Sequence, residues 1–219
     1  MLTIYGVYRS RASRPLWLMA ELGLPFRHVP VIQAYRLPEP MQPEAPLNTL
    51  SPDFLKINPM GSIPSMDDDG LLLHESLAIT LYLARKHGGE LGPKDIDEEA
   101  LMVQWSLFAA TSIETAALKI SSTVAAGKQE SEEGRTEIDV AARLLKRSFN
   151  VLEKHLSDNG HMVGGRFTVA DINLAECVRY AQGHAPLFDE RPALKAWIEA
   201  AQARPGFKTM WETRAKEPA

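Results

Sequence analysis

One stretch of this chain gathers groups that can bind a small peptide. It runs Asn58-Pro59-Met60-Gly61-Ser62-Ile63-Pro64 and is followed at Glu75-Ser76 by the start of an apolar helix. Pro64 has no N–H to offer, which suits the first position of a strand. If the Ile63–Pro64 bond is cis, the chain reverses there and turns the Ile63 N–H and C=O outward. Those two groups can pair with an extended peptide as one more strand would. Ser76 falls at a helix N-terminus, where free N–H groups and the dipole favour a carboxylate and the hydroxyl adds a donor. Glu75 can hold an ammonium. Together these groups suit a peptide with an amino-acid-like end. A plain turn followed by a capped helix has the same signature.

The elements that must position these groups follow from pattern. Residues 2–6 read as a short strand and residues 13–22 as an apolar helix, with Pro15 tolerated in its first turn and Gly23 ending it. Phe26 to Val31 is a second strand. Pro64 to Asp68 and Leu71 to His74 form a hairpin about Asp69-Gly70. Glu75 to His87 is a helix closed by Gly88-Gly89. Strand, helix, strand, hairpin, helix is a thioredoxin-like α/β order. Between the second strand and Ser51, Pro38, Pro40, Pro43 and Pro46 forbid a long helix. A wall or lid beside the site, or a plain surface insertion, fits this loop.

Beyond residue 92 the period becomes helical throughout. Helices are expected over 97–126 and 133–156, from the capping box Thr168-Val169-Ala170-Asp171 to about Ala181, from Pro192, and after Pro205-Gly206. The expected domains are 1–86, thioredoxin-like, and 95–219, all-helical.

Composition narrows the function further. The chain has 219 residues, 45% hydrophobic and 24% charged, enough for a proper core. A net charge of −4 with no long basic run argues against nucleic acid and anionic membranes. No stretch is long and apolar enough to span a bilayer. The first residues go straight into a strand pattern, so no signal peptide is expected. The single cysteine, Cys177, rules out an internal disulfide and suits a reducing cytoplasm. Its place in a helix pattern points to inert packing. The six histidines show no metal-ligand spacing, and no phosphate-binding glycine loop or nucleophile elbow is present.

The chain resembles the cytosolic glutathione transferases, in particular bacterial-type members with serine-type thiol activation. The resemblance spans nearly the whole length. It rests on Leu2-Thr3-Ile4-Tyr5-Gly6, Ala20 to Phe26, Asn58-Pro59 through Ile63-Pro64, Glu75-Ser76, and Phe167 to Asp171. It implies the glutathione transferase fold, glutathione as co-substrate, no metal, a small hydrophobic electrophile as partner, a detoxifying role and a homodimer. By position, Ile63 beside Pro64 should pair with the cysteinyl part of glutathione, Glu75 with its ammonium and Ser76 with its γ-glutamyl carboxylate. Thr168 and Asp171 should be structural, a lost N-cap costing about 1 kcal/mol. Relatives often carry Lys where this chain has Ser62; the glycyl end must then be held otherwise, with Thr49, Lys56 or the proline-rich loop as candidates.

A thiol must become thiolate to attack, and a hydroxyl aimed at the sulfur near a helix N-terminus favours the anion. Tyr8-Arg9-Ser10-Arg11-Ala12-Ser13-Arg14 offers three hydroxyls. Ser10 is the first choice, because its spacing to Arg14 resembles that of the serine-type classes. Ser13 fits better as the cap of the first helix, and Tyr8 stands third. The three arginines add positive potential, although a solvated loop explains them as well. The electrophile is expected near Tyr8, Ser13, Trp105, Phe108, Thr111 and Ser112, with Tyr35 closing the site and Phe207 or Trp211 as further candidates. Without a cysteine in this loop, thiol–disulfide exchange is not expected. The alternative is a non-catalytic glutathione-binding or scaffold protein on the same fold.

Overall fold

A computed structural model describes residues 1–217 as two compact units, Met1–His87 with Arg204–Ala219, and Gly88–Ala203. The first unit is built on a four-stranded sheet of order β2-β1-β3-β4, where β1 is Thr3–Tyr5, β2 Arg27–Val29, β3 Ser65–Asp68 and β4 Leu71–His74. The β1–β2 pair is parallel, joined through α1 (Ser13–Leu22), and the β1–β3 and β3–β4 pairs are antiparallel. Ile4 and Met66 are fully buried in the sheet, Leu16, Trp17 and Leu18 on α1, and Ile79 and Leu83 on α3 (Ser76–His87). This is the thioredoxin-like arrangement.

Two features depart from the sequence expectation. A short helix, α2 (Pro52–Ile57), follows Ser51, with proline in its first turn and Phe54 wholly buried. The last helix, α10 (Pro205–Lys216), groups with the first unit rather than with the helical domain expected over 95–219. Its aromatic pair finds a partner on α1. Phe207 meets Trp17 edge-on at 4.9 Å and stacks on Trp211 at 5.3 Å. Arg204 donates to Glu21 at 2.8 Å, and Gly206 lies so close to Glu21 that a Cβ would fall 2.6 Å from its carboxylate carbon.

The second unit is helical: α4 (Ile96–Phe108), α5 (Thr115–Ala125), α6 (Glu132–Asn159), α7 (Val169–Val178), α8 (Pro186–Asp189) and α9 (Pro192–Ala203). The helix expected over 97–126 is interrupted by a π turn at Ala109–Glu114, a widening that periodicity does not register. Every residue of α7 is buried. The expected capping box is present: the Thr168 N–H donates to Asp171 at 2.9 Å. Asp171 also accepts from the Trp197 indole at 2.8 Å and the Met162 N–H at 3.1 Å, so this buried carboxylate joins α7, α9 and the preceding turn. Among the described residues no helix is long and apolar enough to cross a membrane, and no cluster could hold a metal ion.

Candidate active site

Three segments converge where β1 ends. Gly6 has φ of +143°, and a Cβ there would lie 2.9 Å from Ala12 and 3.4 Å from Ile63. Only glycine lets the loop before α1 and the Ile63–Pro64 turn approach so closely. The third segment is the N-terminus of α3, joined to α1 by Arg14, whose guanidinium donates to the Ser76 hydroxyl at 2.8 Å.

The Ile63–Pro64 peptide is cis. Ile63 is partly exposed and lies just outside the β3 ladder, which ends at the Tyr5–Ser65 pair. Among the described residues no hydrogen bond reaches the Ile63 N–H or C=O. The turn around it is held by the buried Asn58, whose amide donates to the Ser62 carbonyl at 2.8 Å and the Ser65 hydroxyl at 3.1 Å, while its Oδ1 accepts from the Met60 N–H at 3.1 Å. A main-chain donor and acceptor are thus presented on a braced support.

Glu75 is exposed and adopts φ of +66°, a conformation few non-glycine residues take. Its carbonyl accepts the Ile79 N–H at 3.0 Å, so this backbone geometry belongs to the start of α3. Such strain is retained where it places a group usefully. Ser76 is 4% exposed and keeps its own hydroxyl hydrogen while accepting from Arg14. A carboxylate here would meet helix N–H groups, a hydroxyl donor and a buried cation.

Ser10 is partly exposed. Its Oγ donates to the Val7 carbonyl at 2.7 Å and accepts from the Ala12 N–H at 3.0 Å. The hydroxyl is therefore polarised and can redirect one hydrogen. Ser13 is wholly buried and opens α1 as its first residue; the cap position belongs to Ala12, in helical geometry with no side-chain cap, so the expected Ser13 cap is not formed. The Tyr8 phenol packs edge-on against His28 at 5.2 Å, and burial, then Glu217, pushes it above its ordinary range, making it a weaker acid. Arg14 is not a solvated loop residue but is 1% exposed, while Arg11 is exposed.

The remaining candidates have partners of their own. Ser62 is exposed, and its Oγ accepts from Asn58 at 3.2 Å. Thr49 Oγ1 accepts the Ala34 N–H at 3.0 Å, and Lys56 pairs with Asp53 at 2.7 Å. The proline-rich loop is closed at its neck by Ile32 N–H to Leu47 and Thr49 N–H to Ile32, both 2.9 Å. The buried Asn48 fastens it through Pro40 and Pro46. Tyr35, in that loop, is 81% exposed.

In the helical unit, Trp105 is buried and packs against Phe108 at 5.4 Å and His155 at 4.7 Å. Thr111 and Ser112 are exposed beside a groove of about 650 Å³, whose walls include Ala116, Val140 and Leu144. Of the four helix-borne candidates, Trp105 and Phe108 pack together while Thr111 and Ser112 border the groove.

Sequence reading missed Arg14 as a buried partner of Ser76, and Glu217. The Glu217 carboxylate accepts the Tyr8 and Arg9 N–H groups at 2.7 and 2.8 Å. A contact across more than 200 positions leaves no local pattern to find.

A thioredoxin-like unit carrying a braced edge with bare main-chain groups, with an all-helical unit beside it in sequence, defines the class of protein. Comparison agrees. The N-terminal and C-terminal domain models of glutathione S-transferases match residues 8–86 and 102–205. Glutathione S-transferase F13 of Arabidopsis thaliana is 32% identical over 71% of this chain and 74% of its own. The structure of glutathione transferase F7 from Populus trichocarpa covers 98% of this chain and 99% of its own at 30% identity, with a TM-score of 0.80. Glutathione S-transferase I from maize, solved with an atrazine glutathione conjugate, is 25% identical over 99% of each chain, with a TM-score of 0.81. The chain belongs to the glutathione S-transferase family and, with it, to the transferases.

Proposed function

We propose that this transferase lays glutathione as an added strand along Ile63 and keeps its sulfur anionic with the Ser10 hydroxyl. The bare main chain at Ile63, beside Glu75 and Ser76, is the observation that carries the reading. Ile63 N–H and C=O take the cysteinyl residue. Ser76 donates to the γ-glutamyl carboxylate, with Arg14 polarising it from below, and Glu75 receives the ammonium. Ser10 exchanges its Val7 acceptor for the sulfur while the Ala12 N–H continues to donate to it. The thiol proton leaves to solvent. The thiolate lone pair then forms a carbon–sulfur bond, and the electrophile's leaving group departs with its bonding pair. The second substrate is small and apolar, as the maize conjugate illustrates for a relative, and a detoxifying role follows from that chemistry. A cytoplasmic homodimer is part of the proposal, supported by family resemblance and by exposed Leu101, Val103 and Leu107 on α4.

Titrating the bound thiol by its thiolate absorbance tests the Ser10 role. Wild type should hold the thiol below the free value of about 8.5, and Ser10→Ala should return it toward that value, with kcat/KM lowered about 100-fold at neutral pH. An unchanged thiol pKa in Ser10→Ala removes Ser10 from the mechanism.

A further inference from the structure

The loop that carries Ser10 is held from outside by a residue far away in sequence. Glu217, the residue that follows α10, spreads its two carboxylate oxygens over consecutive main-chain donors, the Tyr8 and Arg9 N–H groups at 2.7 and 2.8 Å. Next to it, the Arg9 Nε donates to the Arg214 carbonyl in the last turn of α10 at 3.2 Å, where that carbonyl also accepts the Glu217 N–H at 3.3 Å. The Arg9 carbonyl in turn accepts from Gln33 at 3.1 Å. The N–H groups of residues 8 and 9 and the Arg9 carbonyl are thereby all held. Ser10 comes next in the chain, and among the described residues its hydroxyl bonds inside the same loop, to Val7 and Ala12.

We propose that Glu217 is a positioning residue for thiol activation: its carboxylate latches the Tyr8–Arg9 main chain and so sets where the Ser10 hydroxyl points. The proposal rests on the reading of Ser10 given above. Anchoring α10 does not require this latch. The helix is already docked on α1 by Trp17, Phe207 and the Arg204–Glu21 pair at its other end. Nor does the charge itself explain the residue, because a carboxylate near a developing thiolate opposes the anion. Geometry and charge therefore predict opposite signs, which makes the roles separable. Loss of the latch raises the pKa of the bound thiol if Glu217 positions Ser10, lowers it if the carboxylate acts only through its field, and leaves it alone if Glu217 serves stability only.

The test uses the full chain with glutathione and a chromogenic aryl halide as probes, in wild type, Ser10→Ala, Glu217→Ala and Glu217→Gln. Bound-thiol titration and steady-state kinetics are read together. Glu217→Ala should raise the bound thiol by about one pKa unit and lower kcat about tenfold, with KM for glutathione within about twofold. Glu217→Gln, which keeps one acceptor oxygen, should fall between, and it stands in if the alanine variant does not fold. A thiol pKa that stays put or falls in the Glu217 variants, while Ser10→Ala raises it, overturns the latch and spares the Ser10 reading. A thiol pKa unmoved by Ser10→Ala overturns both.

Discussion

Arg14 and Ser76 show how a buried charge becomes useful. A guanidinium 1% exposed is costly unless its donors are used, and one of them goes to the Ser76 hydroxyl at 2.8 Å. That hydroxyl is then held by its acceptor side, and its hydrogen is the one the proposed carboxylate contact would use. The sequence made Ser76 legible, because a serine at a helix N-terminus has a known use. It did not make Arg14 legible, because three arginines in seven residues look like a solvated loop. Burial likewise separates the serines in a way that residue type cannot. Ser10 is partly exposed, whereas Ser13 is sealed beneath the surface. In the titration proposed above, Ser13→Ala should therefore leave the bound thiol at its wild-type value, in contrast to Ser10→Ala. Equal shifts in the two variants would mean that the loop acts as a unit and that Ser10 has no special place.

Elements with strong local grammar were readable and those without it were not. The capping box before α7 was clear from Thr168 and Asp171, yet the other donors to Asp171 were hidden because they come from Met162 and Trp197. Helix α2 was missed although Ser51-Pro52 is a fair start signal; its six residues are too few to show a period. Arg166 was also invisible. It donates to both oxygens of Glu98 at 2.8 and 2.7 Å and to the Glu90 and Gly92 carbonyls at 3.0 and 2.9 Å, tying the start of α4 to the turn before α7. Gly164 must be glycine to leave room for that guanidinium. The Arg166 hydrogen bonds, followed by the Lys94 N–H, lower the Glu98 carboxyl from 4.5 to about 2. The unfolded chain therefore takes up this proton first as pH falls. The pair stabilises fully above about pH 5, and its contribution, on the order of 2 kcal/mol after solvent screening, disappears as pH falls from 4.5 through 2. Urea midpoints measured across that window should decline more steeply in wild type than in Glu98→Gln. Parallel profiles would show that the pair contributes nothing.

For the whole molecule, the change from α/β to helical periodicity near residue 92 revealed two units, and the structure divides the chain at Gly88. What pattern could not show is that the chain returns to its first unit through α10, since Phe207 and Trp211 fit any apolar partner and only packing selects Trp17. Leu101, Val103 and Leu107 on α4 and Leu144 on α6, at 67% exposure, are exposed apolar side chains that a second copy could cover. Sedimentation should give a mass twice the 24.3 kDa of one chain, and a monomer at micromolar concentration would contradict the proposed homodimer. The account as a whole depends on a tripeptide taking up main-chain groups that the protein leaves unused. Amide hydrogen exchange at Ile63, with and without saturating glutathione, reads that event directly. Exchange should slow about tenfold or more when the ligand pairs with this N–H. Unchanged exchange at Ile63, with glutathione bound by an independent measure, would contradict the added-strand mode.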